Sequence, residues 1–224
     1  MKAEAVLHVR EHHSLLAVVE KRALVWLAER MPGFVTSDRL TGLALFSMVL
    51  AGAAYWAAGW DRRALPVAVA ALALNWFGDS LDGTLARVRN RQRPRYGYYT
   101  DHVLDLAGTS FLLAGLGLSR HMSPLVALAV LAAYLTVEAE VFLATHVLRV
   151  FRLSFGIFGP TELRLILAIG TLYLLYRPYV HIGGLGPFLL FDVGGTVATA
   201  ALALVFLVSA CRNIRALYRE EPLP

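Results

Sequence analysis

The feature that most constrains this chain is a succession of apolar runs, each close to the length of a bilayer crossing. A helix needs roughly 20 residues to span the hydrocarbon core. Runs of about that size lie at 41–60, 64–86, 101–119, 122–147, 162–176 and 187–211, the fifth being the shortest. The expected fold is all-α and integral to the membrane, with six transmembrane helices. Composition agrees: charged residues are 17% of the chain, against about a quarter in a soluble domain.

Ahead of the first run, residues 14–31 predict one more helix, with Ser14 as its N-cap and Pro32-Gly33 as its stop. Leu16, Val19, Ala23, Trp26 and Leu27 share a face, whereas Glu20, Lys21, Glu29 and Arg30 lie largely off it. That pattern suits an amphipathic helix lying in the membrane interface. The chain divides into this N-terminal segment, 1–40, and a single six-helix membrane domain, 41–224. No cleavable signal peptide is expected, because charge runs through the first 30 residues. The lone Cys211 excludes an internal disulfide framework.

Six spans put both termini on one side, and basic residues decide which side. Seventeen of the 21 lysines and arginines fall on the face holding both termini. They include Arg87, Arg89, Arg91, Arg93 and Arg95 between the second and third spans. Arg62, Arg63, Arg120 and Arg177 fall on the other. By the positive-inside rule the basic face is cytoplasmic, as in a multi-pass protein of the bacterial inner-membrane type. Topology and anionic lipid then account for the net charge of +5, and a nucleic-acid partner is not needed.

Acids inside such helices are expensive and ask for a function. Asp79 and Asp82 are three apart and Asp101 and Asp105 four apart, so each pair shares a helix face. Both pairs sit near the basic ends of neighbouring spans, which lets the four carboxylates face each other. Like charges at that density need compensation, and all-oxygen donors suit Mg²⁺ or Mn²⁺. Two metals in such a cluster would stabilise the attacking and leaving oxygens of a phosphoryl displacement. Gly83 and Gly97 leave room for a nucleotide to approach the backbone. Ala86 is similarly small, and Arg87 offers a planar fork for phosphate.

The run Asp79-x-x-Asp82-Gly83-x-x-Ala86-Arg87, then Gly97-x-x-x-Asp101-x-x-x-Asp105, resembles the signature of the CDP-alcohol phosphotransferases, the CDP-alcohol phosphatidyltransferase family. Every signature residue is present, and the spacer between Arg87 and Gly97 is slightly long. Ser37-Asp38-Arg39-Leu40-Thr41 stands where many members carry Pro-Asn-x-x-Thr, and only Thr41 matches. The resemblance implies that a hydroxyl attacks the phosphate of a CDP-linked alcohol and releases CMP, in phospholipid biosynthesis. It implies that Asp79, Asp82, Asp101 and Asp105 hold two divalent ions and that Asp105 doubles as the base. Gly83, Ala86, Arg87 and Gly97 would surround the CDP moiety, and a homodimer is expected.

Other polar residues supply candidates for the acceptor. Glu138 lies in the fourth span on a stripe with Thr145 and Arg152, and Arg149 is close to that face. Arg149 and Arg152 would bind an acceptor phosphate, or snorkel to headgroups. They favour CDP-diacylglycerol as donor and a polar, phosphorylated alcohol as acceptor. The alternative is CDP-choline or CDP-ethanolamine with diacylglycerol. Asp192 and Arg177 are a candidate structural pair, and His102 is expected to pack rather than react. Ala107, Gly108, Gly115 and Gly117 would permit close contact between two copies. An intramembrane prenyltransferase would need more spans. A divalent-cation transporter should carry acids at mid-membrane, repeated in two halves, which is not the pattern here.

Overall fold

The computed structural model describes residues 17–148 and 160–221. The helices are α1 (Ala17–Arg30), α2 (Ser37–Ala58), α3 (Leu65–Val88), α4 (Pro94–Leu118), α5 (Pro124–Leu148), α6 (Pro160–Leu174) and α7 (Leu190–Glu220). A 3-10 turn, Arg62–Ala64, leads into α3. Proline stands in the first turn of α3, α4, α5 and α6, where its missing N–H breaks no helical bond. Thr36 caps α2 by accepting from the Arg39 amide.

Six of these helices answer to the six apolar runs, with shifted ends. α4 begins seven residues earlier than its run, because its first turns are helical but polar. α7 continues nine residues beyond its run for the same reason. Four helical segments are long and apolar enough to cross a membrane: Ser37–Ala58, Arg62–Val88, Pro124–Leu148 and Leu190–Glu220. α4 is less apolar, since Asp101, Asp105 and the polar residues of its first turns lower its mean hydropathy, and α6 has only 15 residues. At about 1.5 Å per residue, α6 is about 22 Å long, short of the ~30 Å hydrocarbon core.

The all-α expectation needs one correction. β1 (Tyr179–Ile182) and β2 (Leu185–Leu189) form an antiparallel hairpin. It turns at Gly183 and Gly184, whose φ values are +57° and +82°. A two-glycine turn of this hand matches the twist of paired strands. The apolar run at 187–211 therefore starts inside a strand.

α2 packs against both α3 and α4, α3 also holds α6, and α5 joins α4 to α7. Small residues make the approaches close. A Cβ on Gly115 would collide with the backbone of Gly52, and one on Gly52 with the Phe111 carbonyl. A Cβ on Gly78 would fall 2.7 Å from the Leu40 carbonyl oxygen. Gly108 abuts Met48, and Gly117 abuts Ala127. Gly108, Gly115 and Gly117 thus serve contacts within the chain, not the contact between copies expected from the sequence.

Tyr55, Leu65, Ala68, Leu72 and Leu174 fill the centre of the core, and the Tyr55 hydroxyl is 2.5 Å from Thr171 Oγ1 on α6. Only 17% and 11% of the apolar stretches of α5 and α7 are buried, against 44% for α2. Their outward faces suit lipid.

α1 packs on the bundle through a face beside the one expected at the membrane interface. Leu24 and Ala28 are buried against Leu40, Leu81 and Leu85, while Ala23 is exposed and Trp26 is 54% exposed. Glu20 fixes this seating: Trp76 Nε1 donates to its Oε1 at 2.7 Å and Thr161 Oγ1 at 2.8 Å. Asp192 also departs from expectation. It accepts from the Ser123 backbone amide at 2.6 Å and from the Ser123 hydroxyl, tying the start of α5 to α7.

Two stability predictions follow from this packing. Gly115→Ala in an open helix would gain up to about 1 kcal/mol; here overpacking should cost at least about 1–3 kcal/mol, read as a lower thermal midpoint in detergent. His121, in the α4–α5 connection, is 5% exposed, with Nε2 3.3 Å from the Ala58 carbonyl oxygen. Burial pushes its pKa down, Arg62 adds to this, and the Ala58 carbonyl opposes it. The folded state therefore prefers the neutral ring, so stability is full above about pH 6.5 and falls as the pH drops below that. His121→Gln should flatten this slope in pH-dependent unfolding.

Candidate functional site

α3 and α4 run antiparallel, joined by residues 89–93, and both pack on α2, which brings their acids together. Asn90, at φ +53°, turns the connection. Asp79 lies towards the end of α3, and Asp101 and Asp105 lie in the early turns of α4. Carboxylate oxygens of these three residues all lie within 4.8 Å of one another. At that separation and an effective dielectric of about 20, two unit charges repel by about 3.5 kcal/mol. Such repulsion is relieved by a neighbouring cation or by protonation of a carboxylate.

Asp82 does not join that group. Its side chain is turned to α2, where Thr41 Oγ1 donates to its Oδ2 at 2.6 Å. The Gly83 amide donates to its other oxygen. Ser37 Oγ reaches the Asp82 carbonyl oxygen at 3.0 Å. Asp82 remains close enough to interact electrostatically with Asp79 and Asp101. Four aspartates are thus neighbours, but three converge and the fourth is held by α2.

The glycines separate into two kinds. Gly78 is required by packing, as above. A Cβ on Gly83 would touch only the Arg87 guanidinium, at 3.4 Å, and one on Gly97 would meet nothing within 4 Å. The fold itself does not need glycine at either position, which leaves open space beside the acids for a ligand. Ala86 is half-buried and helps line a cleft of about 410 Å³ with Thr36, Ser37, Arg89, Arg91 and Arg93. Arg87 is exposed and donates from Nη2 to Thr84 Oγ1 at 3.0 Å.

Several charges do other work than the sequence suggested. Arg89 donates to the carbonyls of Met31 at 2.7 Å, Val35 at 2.5 Å and Pro32 at 3.0 Å, clamping the α1–α2 connection to α3. Arg93 pairs with Asp38 and lies over the Tyr96 ring. Glu140 accepts from Ser209 at 3.0 Å and Asn213 at 2.7 Å on α7. Glu138 is half-buried on α5 and interacts with His102. His102 stacks on Tyr98 and packs near Phe142, with ring centroids 4.2 and 5.6 Å away, and its Nδ1 also lies 3.6 Å from Asp101 Oδ2. Arg149 and Arg152 lie outside the described residues.

Arg164 on α6 is the functional candidate that sequence reasoning missed. Its Nη2 is 2.6 Å from Asp79 Oδ2. A signal existed: a cation near the start of a helix opposes the helix dipole, so it calls for a strong partner. Counting Arg164 as a topology charge hid it.

The sequence pattern of one family covers this whole arrangement. The CDP-alcohol phosphatidyltransferase family matches residues 30–210. The chain belongs to that family. Membership brings phospho-alcohol transfer, a place in phospholipid synthesis and a general dependence on divalent metal. The four apolar segments agree with the family's membrane setting. The family match includes all four aspartates and Arg164, whereas nearly all of α1 precedes it. No curated protein shows significant similarity to the chain.

The contact between Thr41 and Asp82 can be tested by stability alone. Thr41→Val keeps the shape but removes the hydroxyl donor from a buried carboxylate. Thermal unfolding in detergent should show a loss of about 1–3 kcal/mol.

Proposed function

We propose that this protein transfers a phosphatidyl group from CDP-diacylglycerol to a polar alcohol, releasing CMP. The observation that carries the reading is the convergence of Asp79, Asp101 and Asp105 within a family-matched hairpin of helices. An all-oxygen donor set fits Mg²⁺ or Mn²⁺ better than thiolate- or imidazole-seeking ions. Asp79, Asp101 and Asp105 would hold the ions, with Asp82 supplying a further oxygen. When bound, divalent ions neutralise the acids and polarise the phosphate under attack.

The residues of the chain do the rest. Asp105 accepts the proton of the acceptor hydroxyl as the new oxygen–phosphorus bond forms. The bond from phosphorus to the CMP oxygen breaks, and CMP leaves with that electron pair. Gly83 and Gly97 admit the nucleotide close to the backbone, Ala86 keeps the adjoining wall low, and Arg87 offers its fork to a phosphate oxygen. A water-soluble nucleotide must meet a lipid here, so the basic end of the bundle, with both termini, faces the cytoplasm. Glu138, Arg149 and Arg152 would bind the acceptor, the two arginines favouring a phosphorylated one. Residues 41–224 form the membrane domain, with α1 at its interface. A homodimer belongs to this reading too, seated on surface other than Gly108, Gly115 and Gly117.

Purified protein given CDP-diacylglycerol and a panel of alcohols should release CMP only with Mg²⁺ or Mn²⁺, and Asp105→Asn should release none. CMP release from CDP-choline or CDP-ethanolamine with diacylglycerol would reassign the donor. Full turnover in Asp105→Asn would overturn the assignment of the base.

A further inference from the structure

The ion pair between Arg164 and Asp79 is a contact that the transfer reaction described above leaves without a task. It is built with care. Both side chains are 18% exposed, and the donor–acceptor distance is 2.6 Å. The start of α6 is tethered three residues earlier, where Thr161 Oγ1 donates to Glu20 Oε1 at 2.8 Å. The same Glu20 oxygen accepts from Trp76 Nε1 at 2.7 Å and from Ser80 Oγ at 3.4 Å, residues on either side of Asp79. Glu20 therefore joins the helix bearing Arg164 to the helix bearing Asp79. The guanidinium is delivered to the carboxylate by two anchored backbones.

Other arginines near the site are differently engaged. Arg87 bonds Thr84, Arg89 bonds three backbone carbonyls, and Arg93 pairs with Asp38. Among the described residues, Arg164 is the arginine in contact with the triad, and its charge also reaches Asp105. His102 Nδ1 lies 3.6 Å from Asp101 Oδ2; even with it, one guanidinium and one imidazole against three carboxylates leave net negative charge, so a divalent ion is still attracted. It must, however, share Asp79 with a fixed positive charge whose own bond to Oδ2 is short and charge-assisted.

We propose that Arg164 is a resident counter-ion of the acidic triad, competing with the divalent cation for Asp79 and turning to a substrate phosphate once that cation binds. The proposal rests on the metal-dependent reading of this site given above. Its consequence is a coupling between ligands. Without nucleotide, Arg164 weakens metal binding, because the ion approaches a cation that has nowhere better to bond. With a diphosphate present, the guanidinium gains an oxyanion suited to its planar fork, and the metal gains Asp79. Metal and nucleotide then bind each other's complex more tightly than they bind the free protein, by the same factor in either order.

The test is Mn²⁺ binding to the purified full-length protein in detergent, followed by electron paramagnetic resonance with and without CDP. Arg164→Gln should bind Mn²⁺ several-fold more tightly than the parent in the absence of CDP, and CDP should then improve Mn²⁺ affinity less. Arg164→Lys, which keeps the charge and loses the fork, should stay near the parent for Mn²⁺ alone and lose part of the CDP effect. Thr161→Val loosens the tether without touching the triad and should raise Mn²⁺ affinity part-way, which keeps the test open if Arg164→Gln does not fold. Unchanged or weaker Mn²⁺ binding in folded Arg164→Gln, or in Thr161→Val when that variant alone folds, overturns the proposal. Intact CMP release with unaltered Mn²⁺ binding in these variants would remove this inference and leave the transferase reading standing. Altered Mn²⁺ binding without CMP release from any donor would do the reverse.

Discussion

Repulsion among carboxylates held within 4.8 Å of one another is the constraint around which this structure is arranged. Inside a low-dielectric bundle such charges weaken the fold unless cations or donors answer them. The chain answers in part with its own groups. Arg164 reaches Asp79 from α6, and Thr41 and the Gly83 amide hold Asp82 from α2 and α3. The negative charge left over is what makes the cluster attractive to a divalent ion in the function proposed above.

Bringing acids from two helices together requires those helices to approach closely and stay in register. Gly52, Gly78, Gly108 and Gly115 let α2 lie against α3 and α4. Asn75 adds a directional tie, donating to the Ala44 carbonyl at 3.0 Å. A different logic governs Gly83 and Gly97, whose missing side chains face space instead of a neighbouring helix. The same residue type thus serves packing in the membrane core and access at the rim, and only its surroundings tell the two apart.

α1 adds a further layer outside the family-matched stretch. Its apolar side is committed to α2 and α3 through Leu24 and Ala28, and its acid, Glu20, links α3 to α6. Arg89 closes the same region from the other direction by bonding three carbonyls of the α1–α2 connection. Two residues that look like ordinary surface charges therefore hold the frame in which Asp79 and Arg164 meet.

Much of this was legible in the residues themselves. Apolar length located six helices, because burial in lipid leaves a one-dimensional trace. The spacing of Asp79, Asp82, Asp101 and Asp105 revealed their shared faces, because helical periodicity is local. Side-chain partners across helices are not local, and there the sequence was silent or misleading. It showed neither that Arg164 would cross to Asp79 nor that Asp82 would turn to Thr41, nor that Leu24 and Ala28 would seat α1 on the bundle. The hairpin at Gly183-Gly184 was not read from the sequence, because the apolar residues around it looked like part of a helical run. The sequence by itself determined a helical membrane protein with a cluster of acids beside its most basic connection. The tertiary structure decided which carboxylates converge and which cation attends them, because only packing sets the distances over which charges act.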